Sequence, residues 1–279
     1  MKGKTVVITG ATSGIGEVAA EELARMGARI VVVARSPFRA DVIMGRLAIA
    51  NADAKHTVYI ADLSRISEMK RVAGEIAAAE PKIDVLINNA GAINSVRETT
   101  PDGLELTFAT NHLAYFVLTN LLLDRLKATP GARIVSVASD AHKSGKLDFD
   151  DLQSAKSYAS FRTYGTSKLC NILFTRELAR RLEGTGVTAN CLHPGFVITR
   201  FGDNNDGFLG WGFGIAKKFA AISPEEGAKT IVYLASSPEA AGKSGGYYYK
   251  CAPLAPTAAA QNDADAKRLW DVSAKLAGL

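Results

Sequence analysis

Short, almost wholly apolar segments alternate with helical segments along most of this 279-residue chain. The apolar segments span residues 4–9, 29–34, 56–60, 83–87, 132–138 and 187–192, and a shorter one spans 246–250. A strand that is apolar throughout must be covered on both faces, which is typical of a parallel sheet. The pattern therefore predicts an α/β fold with one doubly wound parallel sheet of about seven strands and helices on both faces.

Two stretches interrupt this alternation, although no change in composition divides the chain. Residues 140–161 are polar and irregular, which indicates an insert. Residues 195–222 are rich in Gly, Phe and Trp, which is typical of a long functional loop. Such a loop can close over an apolar substrate, or it can pack against the core. We therefore expect a single domain over residues 1–279 that carries this insert and this substrate loop.

The composition narrows the range of partners. The net charge is +5, but Lys and Arg are dispersed, which disfavours nucleic acid and suits a phosphorylated ligand. The three cysteines are odd in number and lack the spacing of metal ligands, so we expect reduced thiols, no metal site and a cytoplasmic protein. We see no leader sequence and no apolar run long enough to cross a bilayer, so we expect no membrane span.

A glycine-rich turn lies between the first strand and the first helix, where residues 9–16 read Thr-Gly-Ala-Thr-Ser-Gly-Ile-Gly. Glycine lets the backbone approach a pyrophosphate closely, and the helix N-terminus supplies amide donors. Tight turns also need glycine, but a strand before and a helix after favour a dinucleotide site. The residues expected to bind it are Gly10, Thr12, Ser13, Gly14, Ile15 and Gly16.

The residues at the end of the second strand indicate whether such a site prefers NAD(H) or NADP(H). An acidic residue there would bind a ribose 2′-hydroxyl and repel a 2′-phosphate. Residues 33–36 read Val-Ala-Arg-Ser, with no acid. The planar guanidinium of Arg35 can pair with a 2′-phosphate, and Arg39 can assist. Arg35 would otherwise be a solvated charge at a strand end, but the missing acid favours NADP(H) over NAD(H).

Tyr164 and Lys168 lie four residues apart at the start of a predicted helix, so they share one face. A free tyrosine has a pKa of about 10, too high for efficient proton exchange near neutrality, and a nearby ammonium favours the phenolate. In isolation, a tyrosine and a lysine at this spacing usually lie on the protein surface and have no catalytic role. Tyr158 is expected to take no catalytic part, because the residue four positions later is Arg162.

The glycine spacing is Gly-x-x-x-Gly-x-Gly and not the Gly-x-Gly-x-x-Gly dinucleotide motif, and further motifs follow it in order. They are Asp62-Leu63, Asn88-Asn89-Ala90-Gly91, Asn111, Ser139, Tyr164-Gly165-Thr166-Ser167-Lys168 and Pro194-Gly195. On this ordered set the chain resembles the short-chain dehydrogenase/reductase family over nearly its whole length, which implies a Rossmann-type fold. Residues 139–178 resemble its retinol dehydrogenase and protochlorophyllide reductase branch.

The resemblance implies a role for each catalytic candidate. Tyr164 would give and take the proton, while Lys168 would favour its phenolate and bind the nicotinamide ribose. Ser139 would hydrogen-bond the substrate oxygen. Asn111 would hold a water that links Lys168 to solvent as a proton relay. Asn88 would tie neighbouring strands together.

The resemblance also implies cofactor contacts outside the glycine turn. Asp62 and Leu63 would border the adenine, and the backbone from Asn89 to Gly91 would pass beside the adenosine ribose. In the long loop, the backbone of Val197 would bind the nicotinamide carboxamide, and the Thr199 hydroxyl would assist.

Together these features predict an NADP-dependent oxidoreductase that moves a hydride between the nicotinamide and a carbonyl or alcohol, with a bulky apolar substrate. Two other functions share some of the motifs: a nonenzymatic NADP sensor and a nucleotide-sugar epimerase. Such sensors often lose the tyrosine or the lysine, and such epimerases usually have another glycine spacing. Many members of the family pair through the two long helices that here carry Asn111 and Tyr164, so a homodimer is possible, but the insert and the C-terminal tail of this chain could block or change that pairing.

Overall fold

The computed structural model describes residues 1–196 and 222–279, and within them the predicted strands form one sheet. The strands are β1 (Thr5–Thr9), β2 (Arg29–Ala34), β3 (Thr57–Ile60), β4 (Val85–Asn88), β5 (Arg133–Val137), β6 (Thr188–Leu192), β7 (Tyr247–Tyr249) and β8 (Ala252–Pro253). Their order across the sheet is β3-β2-β1-β4-β5-β6-β7-β8. The strands β1 to β7 are parallel, which confirms the doubly wound sheet.

The short strand β8 was not predicted from the sequence. It runs antiparallel to β7 and pairs Tyr249 with Ala252. The turn between them holds Lys250 and Cys251 at φ +48° and +61°. Turns of this left-handed kind usually carry Gly or Asn, so the sequence here contains no turn signal.

Helices cover both faces of the sheet. They are α1 (Gly14–Arg25), α2 (Pro37–Ala50), α3 (Ile66–Ala79), α4 (Leu106–Lys127), α5 (Ser160–Arg181), α6 (Pro224–Ser236) and α7 (Asp263–Ala277). Successive side chains of a strand point to opposite faces. In β1, Val6 and Ile8 pack with α1, α2 and α6, whereas Val7 packs with α3, α4 and α5. Each strand therefore needs apolar residues on both sides, as its composition indicated.

The C-terminal helix α7 packs mainly on α5. The Trp270 ring stacks on Phe174 with centroids 5.8 Å apart and meets Phe116 of α4 edge-on at 4.9 Å. These contacts cover apolar residues of the two helices through which such a homodimer would form. Pairing at those residues would have to displace α7.

One expectation about apolar length was wrong. Helix α4 has 22 residues, and the mean hydropathy of its most apolar window is 1.3, so by length and composition it qualifies as a candidate membrane span. Of that window, 72% is buried inside the protein, because α4 packs against α3 and the sheet. A core helix passes the same test of length and composition, and this burial pattern is that of a core helix.

Candidate active site

The predicted site residues follow the carboxyl ends of neighbouring strands. The glycine turn follows β1, residues 89–91 follow β4, and Ser139 follows β5. Strand β1 pairs with β2 on one side and β4 on the other, so the chain direction of the crossovers reverses between β1 and β4. Such a reversal opens a crevice at the carboxyl edge, where sheets of this kind bind their ligands.

The glycine turn is closed against the loop after β4. Gly10 has φ +69°, and a Cβ on it would lie 2.7 Å from the Ala90 Cα. A Cβ on Gly16 would lie 2.5 Å from the Gly10 carbonyl oxygen and would overlap the Asn89 amide. Neither position has room for a side chain, so the turn keeps the bare backbone that a pyrophosphate needs.

Asn89 holds this turn in place through its side chain. Its Nδ2 donates to the carbonyl oxygens of Thr9 and Gly10, each at 3.0 Å. The Thr9 Oγ1 accepts in return from the backbone amides of Asn89 and Ala90, each at 3.0 Å. The Asn89 side chain thus serves the turn, which leaves its backbone for the predicted cofactor contact.

The expectation for Asn88 was wrong in its partner. Its Nδ2 donates to Thr119 Oγ1 on α4 at 3.0 Å, so it ties a strand to a helix and not to another strand. Side chains stand perpendicular to a sheet, and Asn88 therefore faces the helical layer.

The start of α1 lies beside the glycine turn. Ser13 precedes the helix in an extended conformation, and its side chain forms no capping hydrogen bond. Thr12, Ser13, Gly14 and Ile15 are half-buried, and Gly16 is buried. Ser13 therefore does not cap the first amides of α1, and an anion would be stabilised at this position.

Two cations stand at the end of β2, beyond the glycine turn. Arg35 and Arg39 are both exposed, and neither forms a salt bridge with another described residue. At the end of β3, Asp62 accepts from the Ser64 amide at 3.1 Å, and Leu63 is buried. Arg35 follows the strand next to β1, so it lies on the β2 side of the crevice, where the sequence predicts a 2′-phosphate contact.

Ser139 and Tyr164 meet across the crevice floor. The Ser139 Oγ accepts from the Ala141 amide at 3.1 Å and so starts a 3₁₀ turn over Asp140–Ser144. Burial raises the pKa of Tyr164 to about 12, and a hydrogen bond with the Ser139 side chain opposes that rise. At neutral pH the phenol is therefore protonated and able to donate.

Lys168 lies behind the phenol and is buried, with only 2% of its surface exposed. Its Nζ donates to the Val137 carbonyl oxygen at 3.0 Å. Burial lowers the pKa of Lys168 to about 7. The Nζ lies 5.6 Å from the centroid of the Tyr164 ring, so the two residues share a face of α5 as their spacing predicted.

Asn111 lies in a π-helical turn of α4 (Ala109–Leu113), in which the Ala114 amide donates to the Ala109 carbonyl. The side-chain Nδ2 of Asn111 donates to Ser167 Oγ at 3.0 Å. A Cβ on Gly91 would lie 3.3 Å from both Asn111 Oδ1 and Lys168 Nζ. Wide turns of this kind are frequent at functional sites, and this one brings Asn111 against Gly91 and Ser167.

The insert packs closely against α5 where Gly145 meets Gly165. A Cβ on Gly165 would lie 2.5 Å from both the Ala141 carbonyl oxygen and Ser144 Oγ. A Cβ on Gly145 would lie 2.6 Å from the Gly165 carbonyl oxygen. The 3₁₀ turn that begins at Ser139 therefore rests on the helix one residue after Tyr164, and this contact sets the distance between the two hydroxyl groups.

The structure thus brings Asn111, Ser139, Tyr164 and Lys168 together and joins them to the glycine turn through residues 89–91. Val197 and Thr199 lie outside the described residues. Tyr158 is placed apart: its hydroxyl donates to the Asn94 carbonyl at 2.7 Å.

Sequence reasoning missed two residues of this site. Ser167, inside the Tyr164–Lys168 pentad, accepts from Asn111. Tyr115 places its ring centroid 5.7 Å from Lys168 Nζ. The spacing of four between Asn111 and Tyr115 on a predicted helix was a signal that could have found the second one.

Comparison with known proteins agrees with this geometry. The family model for short chain dehydrogenases matches residues 4–207. The chain therefore belongs to the short-chain dehydrogenase/reductase family.

Relatives of the chain indicate its branch within this family. Retinol dehydrogenase 14 from Homo sapiens is 42% identical over 301 residues, covering 100% of this chain and 88% of the relative. Retinol dehydrogenase 12 from Mus musculus is 42% identical, covering 99% of this chain and 87% of the relative. The chain falls in the retinol dehydrogenase-like branch and is an oxidoreductase that acts on an alcohol or carbonyl group.

Solved structures share the fold. An uncharacterized protein from Mycobacterium paratuberculosis superposes with a TM-score of 0.80 at 32% identity, covering 99% of this chain and 94% of that protein. A Beutenbergia cavernae protein with bound NADP gives 0.71 at 27% identity, covering 88% and 94%. The predicted Rossmann-type fold is therefore confirmed. Members of the family use NAD(H) or NADP(H), and the side-chain-free turn at Gly10 and Gly16 fits the pyrophosphate of either.

Proposed function

We propose that this protein is a cytoplasmic, NADP(H)-dependent oxidoreductase that interconverts a bulky apolar carbonyl compound and its alcohol. The observation that carries this proposal is the hydrogen bond between Ser139 and Tyr164 beside the buried Lys168 ammonium. When bound, the nicotinamide supplies or accepts the hydride. The residues of the chain orient the reactants and move the proton.

The proton moves through Tyr164. In the direction of reduction, its phenol donates the proton to the oxygen of the carbonyl, while the Ser139 hydroxyl holds that oxygen. The positive charge on Lys168 stabilises the phenolate that remains. Asn111 holds Ala92 and Ser167 by hydrogen bonds, and we assign to it the binding of a water that relays a proton from solvent to Lys168.

The preference for NADP(H) is assigned to Arg35, with Arg39 beside it. Both are exposed at the end of β2. No acidic residue occupies the position at which NAD-dependent proteins bind the ribose 2′-hydroxyl. A guanidinium without a carboxylate partner among the described residues is available to pair with a 2′-phosphate. Arg35→Asp should lower the ratio of kcat/KM for NADPH to that for NADH roughly 10- to 100-fold, by loss of one charge-assisted pair. Arg25→Asp, at the far end of α1, is the charge-matched control and should leave that ratio unchanged.

The apolar substrate is supported by exposed side chains at the carboxyl edge. Val96 after β4, Phe161 at the start of α5 and Phe196 after β6 are 61%, 49% and 41% exposed. Each of the three follows the carboxyl end of a strand or begins a helix at that edge, where sheets of this kind bind their ligands, and we take them as candidate contacts for an apolar substrate. The relatives are named retinol dehydrogenases, and retinol is itself a bulky apolar alcohol. Turnover confined to small hydrophilic sugars would contradict this assignment.

The test is the loss of NADPH absorbance with a panel of ketones, aldehydes and quinones. Tyr164→Phe should abolish turnover while the Kd for NADPH changes little, because only the proton donor is lost. Tyr158→Phe removes a phenol from the nearby insert and should keep turnover within a few-fold of wild type. NADPH binding without any turnover would indicate a sensor, and turnover of a nucleotide sugar without net NADPH loss would indicate an epimerase.

A further inference from the structure

Tyr115 is a buried residue of the site that takes no part in the proton transfer proposed for Tyr164. It lies on α4 directly after the π-helical turn, and its side chain is fully buried. Its hydroxyl has no hydrogen-bond partner among the described residues. Since the hydroxyl makes no bond there, the contribution of Tyr115 must be sought in its ring.

The ring of Tyr115 faces the ammonium of Lys168. The Nζ lies 5.7 Å from the Tyr115 centroid and 5.6 Å from the Tyr164 centroid, so two aromatic rings from two helices lie near one cation. Both distances fall within the roughly 6 Å over which a ring face attracts a cation.

Few other groups stabilise this charge. From β5, the Val137 carbonyl accepts from Lys168 Nζ at 3.0 Å. A Cβ on Gly91, in the loop after β4, would lie 3.3 Å from both Lys168 Nζ and the Oδ1 of Asn111 on α4, and both of these neighbouring residues are neutral. Within the described ranges, no carboxylate forms a salt bridge with Lys168, and the titratable groups that face it are the phenols of Tyr115 and Tyr164.

We infer that Tyr115 is a positioning residue whose ring, together with that of Tyr164, holds the Lys168 ammonium charged and in place beside the proton donor. This inference rests on the proposed function, in which a charged Lys168 stabilises the phenolate. Tyr115 acts through Lys168 and does not itself touch the reacting atoms.

Burial and the two aromatic rings shift the pKa of Lys168 in opposite directions. Burial lowers the pKa of Lys168 to about 7, so burial alone would leave about half of the lysine neutral at pH 7. The negative face of an aromatic ring stabilises the cation and not the neutral amine, so each ring raises the pKa of Lys168. A desolvated ring contact of this kind corresponds to roughly 0.4 to 1.5 pH units.

The experiment compares Tyr115→Leu, which removes the ring, with Tyr115→Phe, which keeps it. The pKa of Lys168 is measured by NMR on protein labelled at the lysine ε-carbon, with the resonance assigned from its absence in Lys168→Arg. Tyr115→Leu should lower the pKa of Lys168 by roughly 0.4 to 1.5 pH units, and Tyr115→Phe should leave it unchanged. The alkaline limb of the kcat/KM profile should move by the same amount in Tyr115→Leu alone.

A second buried aromatic residue of α4 provides the control. Phe116 packs against Phe174 and Trp270, away from the lysine, so Phe116→Leu loosens the same helix without changing the ammonium's surroundings. It should lower Tm but leave the pKa of Lys168 unchanged. An unchanged or raised pKa in Tyr115→Leu, or an equal fall in Tyr115→Phe, would overturn the inference. The NMR titration needs no turnover, so failure of the proposed function, seen as inactive wild-type protein, is distinguishable from failure of this one.

Discussion

The side chain of Asn111 pairs with the backbone of Ala92 in both directions. Its Nδ2 donates to the Ala92 carbonyl oxygen at 2.8 Å, and its Oδ1 accepts from the Ala92 amide at 2.8 Å. One buried amide group thus fastens the loop after β4 to helix α4. Because Gly91 lies in that loop, the pair also holds the backbone that is predicted to bind the cofactor close to Lys168.

Asn111→Ala should therefore destabilise the protein and slow catalysis together. It removes three hydrogen bonds of Asn111, to Ala92 twice and to Ser167 once, and leaves the half-buried amide and carbonyl of Ala92 without these partners. At about 1 kcal/mol or slightly more for each bond, the free energy of unfolding should fall by roughly 2–4 kcal/mol. Urea titration measures this change. Asn120→Ala, on the same helix with a local bond to the Phe116 carbonyl, should change it by less than about 1 kcal/mol; equal losses in both variants would refute the special role of Asn111.

Gly16→Ala should weaken NADPH binding at least tenfold. Its new Cβ would overlap the Asn89 amide and lie 2.5 Å from the Gly10 carbonyl, so the glycine turn must open. Calorimetric titration with NADPH gives the Kd directly. Gly45→Ala on α2 is the control, because a Cβ there meets no atom within 4 Å. Unchanged affinity in Gly16→Ala would show that the turn does not hold the pyrophosphate.

Gly165→Ala should be destabilising although alanine is the better helix former. In an unobstructed helix interior the change gains about 0.5–1 kcal/mol, and we expect that gain for Gly74→Ala in α3, where a Cβ meets no atom within 4 Å. At Gly165 the Cβ would press on Ala141 and Ser144, which costs about 1–3 kcal/mol. It would also move Ser139 away from Tyr164, so kcat should fall more than NADPH affinity. A stability gain like that of Gly74→Ala would contradict this view of the contact.

His112 should make the protein less stable in acid. It is fully buried, its Nε2 lies 2.9 Å from Ser273 Oγ on α7, and burial lowers its pKa to about 4. The folded-state pKa lies below the unfolded value of 6.5, so this stability is complete above pH 6.5 and is lost as the pH falls towards 4. At about 1.4 kcal/mol per pH unit, the loss reaches roughly 2 kcal/mol at pH 5.

The measurement is urea unfolding of wild type and His112→Gln between pH 7 and 5. Burial also lowers the pKa values of His56, His142 and His193, so the wild type has several contributions to its acid slope. The part that belongs to His112 is the difference between the two slopes. Parallel curves for the two proteins would mean that His112 does not control acid stability.

Most of the fold could be predicted from local patterns in the sequence. Wholly apolar strands such as Val6–Ile8 can be recognised because both faces of the strand need apolar residues. The glycine turn could be placed because it lies between a strand and a helix that are each recognisable. The pairing of Tyr164 with Lys168 followed from helical spacing alone.

What escaped prediction depends on contacts between distant segments. The π-helical turn at Asn111 does not follow from helical periodicity, because its wider spacing arises where Asn111 reaches Ala92. The strand β8 has only two residues and no glycine in its turn. The partner of Asn88 depended on which helix lies over β4, and that is a matter of packing.

The amino-acid sequence by itself determined the doubly wound sheet, the glycine turn after its first strand and the shared face of Tyr164 and Lys168, because strand burial and helix spacing are local properties. Only the tertiary structure decided which groups are in contact: the turn that begins at Ser139 packs on Gly165 beside Tyr164, and the Lys168 ammonium lies near two aromatic rings. Both contacts join segments that are far apart in the chain. Their distances are set by how α4, α5 and the insert pack on the sheet.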